Sequence, residues 1–254
     1  MHSPLPLQRE CHGRNDAIGE RYKQEQRLFV SMGFLQALSR QIRGTAKVFD
    51  QAQLQSFIAP LYSPEHLAAM VTERYPITPY VRDYKEVIAE AVEAHFMGLG
   101  HVAVAGLMPV IEGVGKQIAE SRGLVFRAAK SGFVKLANDC KDDAAKNNIG
   151  AVGEIVSMMD SFIYFVERYL YIDSTDYDLE DRTNRHGILH GRYSDKDYGE
   201  PINFYKSLAA VDFLCFIAAF RAYISFFAPD PTEASRKLEH YYGGCIALAK
   251  GRPK

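Results

Sequence analysis

Apolar and polar positions alternate with a helical period along almost the whole chain. Between about Ala17 and Arg43, Phe29, Val30, Phe34, Leu35 and Leu38 recur at helical spacing with charged residues between them, and Gly44 marks a stop. Ser63 followed by Pro64 and Glu65 has the form of an N-cap with proline in the first turn, opening a short helix that ends before Pro76. Pro76 and Pro79 make the clearest break, and a boundary is placed there between an N-terminal helical extension, residues 1–76, and a main domain, residues 77–254. Beyond it, Val81, Tyr84, Val87, Ile88, Ala91 and Val92 give one apolar face to a helix from Tyr80 to Phe96. Gly98 and Gly100 turn the chain into a helix over roughly His101 to Ser121, apolar on most sides but carrying Glu112. A more polar helix follows from Val125 to about Asn147. The next, Ala151 to Ile172, carries Met158, Phe162, Phe165, Val166, Tyr169 and Leu170 in register, an aromatic stripe expected to be core. A long helix from Ile202 to Phe227 and, after Pro229 and Pro231, a last one to about Ala249 complete the chain. No strand pairing, internal repeat or low-complexity tract interrupts the series, which predicts an all-α, up-and-down helical bundle.

Composition narrows the function classes. Of 254 residues 47% are hydrophobic, enough for a sizeable core, and the net charge is −1, so any attraction for nucleic acid must come from a local patch. Lys130, Lys135 and their neighbours on the polar helix are partly offset by Asp139, Asp142 and Asp143, and read as a solvated face. Ser207 to Phe227 approaches the length of a membrane span, but Asp212 and Arg221 inside it would be costly in lipid, so a buried central helix is expected and no membrane association. The proline-bearing N-terminus reads as an irregular arm without the apolar run of a signal peptide. Cys11, Cys140, Cys215 and Cys245 form no CxxC and read as reduced thiols, consistent with a cytoplasmic location.

One stretch concentrates chemistry. Asp181-Arg-Thr-Asn-Arg-His-Gly-Ile-Leu-His-Gly-Arg192 holds three arginines and two histidines in twelve residues between two long apolar helices. Arg185 is followed directly by His186 and, five positions on, by His190, so a fixed cation and groups titrating near neutrality share one surface, as phosphate chemistry requires. Gly187 and Gly191 are expected to permit a tight bend that presents both histidines. Glu112, amid apolar neighbours, must lie at the edge of a cleft or pair with a cation such as Arg185. His186 and His190 stand at the spacing of two zinc ligands on a helix, but no third ligand is near and Gly187 weakens that helix, so no metal and no cofactor is expected. His66, His95, His101 and His240 read as ordinary helix or surface residues.

The pattern of Arg185, a polar residue, three further residues and His190 resembles the motif of HEPN domains, all-helical dimeric modules many of which are metal-independent ribonucleases. Ile111-Glu112-Gly113, Asn184 to Gly191 and Asp197-Tyr198-Gly199 are similar to a bacterial group of HEPN-like proteins of unassigned biological role; the resemblance covers residues 77–254. It implies four core helices beginning near Tyr80, His101, Ala151 and Ile202, with the motif at the start of the last of them. It further implies RNA or a nucleotide as ligand, a homodimer that brings two motifs to a shared cleft, and use in defence or stress response. Arg185, His186 and His190 inherit the catalytic positions, with Glu112 and Asn184 behind them. Histidine serves as acid or base near neutrality and arginine stabilises a dianionic phosphorane, so the implied products are a 2′,3′-cyclic phosphate and a 5′-hydroxyl. Two other readings stay open: a non-catalytic dimerisation or nucleotide-binding module, and histidines that only satisfy a polar loop.

Overall fold

The computed structural model describes residues 51–252 except 178–180, 223 and 225–227. The helix expected between Ala17 and Arg43, and Cys11, lie outside the described residues. Helix α1 spans Gln51–Ile58, and a 3₁₀ turn, Ala59–Tyr62, leads to α2, Pro64–Ala69. Ser63 caps α2 by accepting from the His66 amide at 3.2 Å, as its sequence predicts, and the helix continues as a π turn over Met70–Arg74. Then come α3 (Lys85–Phe96), α4 (Gly100–Ser121), α5 (Ala129–Asn147) and α6 (Val152–Phe165), the last also ending in a π turn, Val166–Leu170. The short α7 (Arg185–Leu189) precedes α8 (Pro201–Ala219) and α9 (Glu233–Lys250). No strand occurs among the described residues, and the protein is an all-α helical bundle.

Three boundaries differ from the sequence reading. Tyr80 takes a φ of 68°, so only a 3₁₀ turn, Val81–Tyr84, precedes the α-helix that starts at Lys85. Ala128 is extended, and the helix expected from Val125 starts at Ala129. The helix expected to reach Phe227 stops at Ala219, and Arg221 beyond it turns to Asp143 at 3.3 Å. Apolar residues continue past the helix end, so hydrophobicity alone gave no stop signal there.

Helix α4 is the spine: α3, α5, α7 and α8 all pack on it, while α6 packs on α5 and α9 lies across α2 and α3. Helix α8 is buried all round, as expected of a central helix, with Phe204, Leu208, Phe213 and Leu214 fully enclosed. Each such side chain contributes about 1.5–3 kcal/mol by leaving water. Helices α4 and α8 are long and apolar enough to cross a membrane, but α8 is almost wholly covered by the rest of the protein. The aromatic stripe of α6 is core: Phe162 lies edge-on to Phe133 at 5.7 Å and 4.5 Å from Phe213. Cys140, Cys215 and Cys245 are buried free thiols.

The proline pair at 76 and 79 is a bend beside which residues on both sides share one core, from Ile58 to Cys245. The Tyr75 hydroxyl donates to Asp212 on α8 at 2.9 Å, Thr232 donates to Glu73 at 2.7 Å, and the Ile202 amide donates to Gln55 at 3.2 Å. Residues 51–75 are thereby tied to α8 and to the cap of α9.

Candidate functional site

The motif rests on a buried polar anchor. Lys206, on the largely apolar α8, forms an ion pair with Asp181, and both side chains are almost wholly buried. The Tyr177 hydroxyl also donates to Asp181, and the Thr183 amide does so at 3.3 Å. Burial alone would raise the Asp181 carboxyl; Lys206 and these donors outweigh it and hold the group below the usual carboxylate range. One turn earlier on α8, Asn203 accepts from the Arg182 amide at 3.0 Å and the Thr183 hydroxyl at 2.7 Å, and donates to the Tyr198 carbonyl at 3.1 Å. Asn184 completes the strap. Its amide nitrogen donates to the carbonyls of Tyr169 and Ile172 at 2.8 and 2.9 Å, and its oxygen caps α7 by accepting from Gly187 at 2.8 Å. Every polar atom of that buried side chain is used, so Asn184 supports the site and does not face a ligand.

The motif does not begin the last long core helix, as the resemblance implies; it makes its own helix, α7. Gly191, at φ 67°, ends α7 and lets the Arg192 amide return to the Gly187 carbonyl at 3.0 Å. Pro201 then opens α8. Gly187 is not a bend, contrary to expectation: it lies inside α7, where an added Cβ would stand 2.2 Å from the Tyr193 ring. That ring also faces the Arg182 guanidinium at 5.8 Å. Gly187→Ala is therefore expected to destabilise the protein by about 1–2 kcal/mol through overpacking, read as a lower thermal midpoint; an unchanged midpoint would show that Tyr193 moves aside freely.

On this base Arg185, His186, His190 and Glu112 meet at the surface. Arg185 Nε donates to Glu112 Oε2 at 3.1 Å, which settles the two options left open for that carboxylate: it pairs with the motif arginine. Helix α4 is seated there by close contacts, since a Cβ at Gly113 would meet the Tyr84 hydroxyl at 2.1 Å and one at Gly115 the Phe133 ring at 2.1 Å. Arg185 Nη1 stands 3.1 Å from His190 Nε2. A guanidinium only donates, so Nε2 accepts and the His190 proton is assigned to Nδ1. The His186 and His190 rings stack with centroids 5.5 Å apart and planes 10° from parallel, and Tyr171 meets His186 edge-on at 5.9 Å. Partial burial, then the charge of Arg185 and the neighbouring His190, lower the proton affinity of His186 below the ordinary imidazole value. The Tyr171 hydroxyl is pushed up by burial and by Glu112.

A second arginine borders the cluster. Arg192 Nη1 donates to Asp173 at 3.1 Å and to the Ser174 hydroxyl at 2.9 Å. Sequence reasoning counted this arginine without giving it a role, and it missed Asp181, Asn203, Lys206 and Tyr177. A lysine inside an apolar helix was the signal for the anchor, because a buried ammonium needs a carboxylate. Two histidines outside the motif have defined places. His95 stacks on Phe204 at 4.0 Å, and burial lowers its pKa to about 4, making it a neutral core residue. His101 bonds the Asp195 carbonyl at 2.8 Å and holds the loop after α7 against α4, where Gly100 and Gly199 are in close contact. Among the described residues no group of three His, Cys, Asp or Glu side chains is placed to hold a metal ion.

Comparison with protein-family models, with curated proteins and with solved structures finds no match to the chain.

Proposed function

We propose that the protein is a metal-independent endoribonuclease of the HEPN type, acting through Arg185, His186 and His190 at a site formed across a homodimer. The observation that carries this reading is the direct contact of Arg185 Nη1 with His190 Nε2, beside a second, nearly parallel imidazole on an accessible surface. Such a set can abstract a ribose 2′-hydroxyl proton, stabilise a phosphorane and protonate a leaving oxygen. One chain supplies one guanidinium in contact with an imidazole, and a two-fold axis through the exposed His190 would double the set. His190 serves as base or acid once Arg185 turns Nη1 from the His190 Nε2 atom to the phosphoryl oxygens, His186 orients both, and Glu112 keeps Arg185 in place from behind through Nε. A role in defence or stress response belongs to the same proposal.

One observation favours a non-catalytic module instead, of the dimerisation or RNA-binding kind: Arg185 and Arg192 are each already paired with a carboxylate, so part of the charge that would stabilise a phosphorane is neutralised. Incubation with mixed RNA in EDTA, with molar mass by light scattering in the same buffer, separates the two. The ribonuclease reading expects a dimer and products ending in a 2′,3′-cyclic phosphate and a 5′-hydroxyl. EDTA-sensitive cleavage leaving 5′-phosphates would refute it, and a folded dimer that binds RNA uncut would favour the module.

A further inference from the structure

We propose that Arg192, with the turn Asp173 to Thr175, forms a second phosphate subsite beside the imidazole pair, so that the ligand is a polynucleotide with at least two consecutive phosphates and not a mononucleotide. This rests on the reading of the motif as a phosphate site and adds to it the residues that hold the neighbouring phosphate. The position of Arg192 is set by the fold: its amide is tied to the Gly187 carbonyl at 3.0 Å by the closing turn of α7, so it keeps a fixed relation to Arg185 and His186. Its side chain is held as well. Nη1 reaches Asp173 and Ser174 across the surface, and Asp173 is in turn fixed by the Thr175 amide at 2.9 Å and hydroxyl at 2.8 Å.

The cluster therefore has an ordered layout. The stacked rings of His186 and His190 are accompanied by two arginine–carboxylate pairs, one with Glu112 on α4 and one with Asp173 in the loop after α6. Asp173 is near enough to His186 for its charge to offset part of the influence of Arg185 on that ring. Each guanidinium keeps donors in reserve: Nη2 of Arg185, and Nε and Nη2 of Arg192, make no hydrogen bond among the described residues. Arginines already ordered by a carboxylate lose less rotamer freedom when they bind phosphate. A ribose over the imidazoles carries a phosphate on either side, which matches two cations near one pair of rings; a mononucleotide would engage one cation only. Asp173 opposes the incoming phosphate electrostatically, and this makes the proposal testable by sign.

The test is fluorescence anisotropy with a labelled 2′-deoxy oligonucleotide about ten nucleotides long, which lacks the hydroxyl needed for cleavage, titrated over a series of salt concentrations. Parent, Arg192→Gln and Asp173→Asn are compared, with thermal midpoints to show equal folding. Arg192→Gln is expected to weaken binding by about five-fold and to reduce the salt slope by about 0.7, while Asp173→Asn tightens binding. A purely structural brace would move both variants in the same direction, and that result, or no change in either, overturns the subsite. RNA cleavage in EDTA distinguishes the failures. If the parent cuts RNA while both variants bind as the parent does, only the subsite falls; if the parent neither binds the oligonucleotide nor cuts RNA, the phosphate reading falls with it.

Discussion

Replacing Lys206 by Met is expected to destabilise the protein by about 3–5 kcal/mol, a fall in thermal midpoint of roughly 6–20 °C for a chain of this size. Lys206 and Asp181 are 1% and 0% exposed at their side chains, so the variant leaves a carboxylate in the interior without its ammonium. Tyr177 and the Thr183 amide remain as donors to Asp181 and soften the loss without cancelling it. Adding Asp181→Asn to Lys206→Met removes the stranded charge, so the double variant should lose less than the single one. Equal losses in the two would show that the ion pair is not what anchors the strap. The acid dependence has a definite sign. Asp181 has a folded-state pKa below its unfolded one, so its contribution is present above the ordinary carboxylate range and is lost as pH falls through the lower, folded value. The parent should therefore lose its advantage over the double variant as pH falls, because Lys206 then keeps its charge in the interior opposite a neutral carboxyl. Because Asp181 begins the segment that Asn184 joins to α7, the single variant should also disturb the motif.

His190→Ala should have the opposite profile, with little effect on stability and a large one on chemistry. The side chain is exposed, and surface substitutions usually change stability by no more than about 0.5 kcal/mol. Under the ribonuclease reading its loss removes a general acid or base and lowers cleavage by about 10²–10⁴-fold. The contact with Arg185 Nη1 is lost too, but Glu112 still holds Nε, so the guanidinium stays in place. Cleavage undiminished in a folded His190→Ala dimer would remove the motif from the mechanism; loss of folding would favour the reading in which the histidines only satisfy a loop. The pH profile adds a check. His186 has a lowered proton affinity, from partial burial and then from Arg185, so if His186 itself takes up a proton in the reaction, activity should rise with pH below the ordinary imidazole value. Removing the charge with Arg185→Gln should move that rise upward in whatever activity remains.

Much of the fold was legible because helices are local. The spacing of Met158, Phe162, Phe165 and Tyr169 is enough to place a buried face on α6 and its closing π turn, and Ser63 with Pro64 marks the start of α2. The contact of Arg185 with His190 was legible for the same reason: five positions within and just past one short helix bring them together. Boundaries were read less well where Tyr80 enters its turn at positive φ and where apolar residues continue beyond Ala219, since neither is marked by a stop residue.

What the sequence determined by itself is thus the helical class, the apolar faces and the set of charged and titratable groups in the motif, all set by interactions within a few residues. Only the tertiary structure decided that Glu112 meets Arg185 from 73 positions away, that Arg192 joins Asp173 beside the imidazoles, and that Lys206 is answered by Asp181 and not left to solvent. Those pairings depend on which helix faces come together, and a buried or half-buried charge takes as partner whatever the packing of α4, α7 and α8 brings within reach.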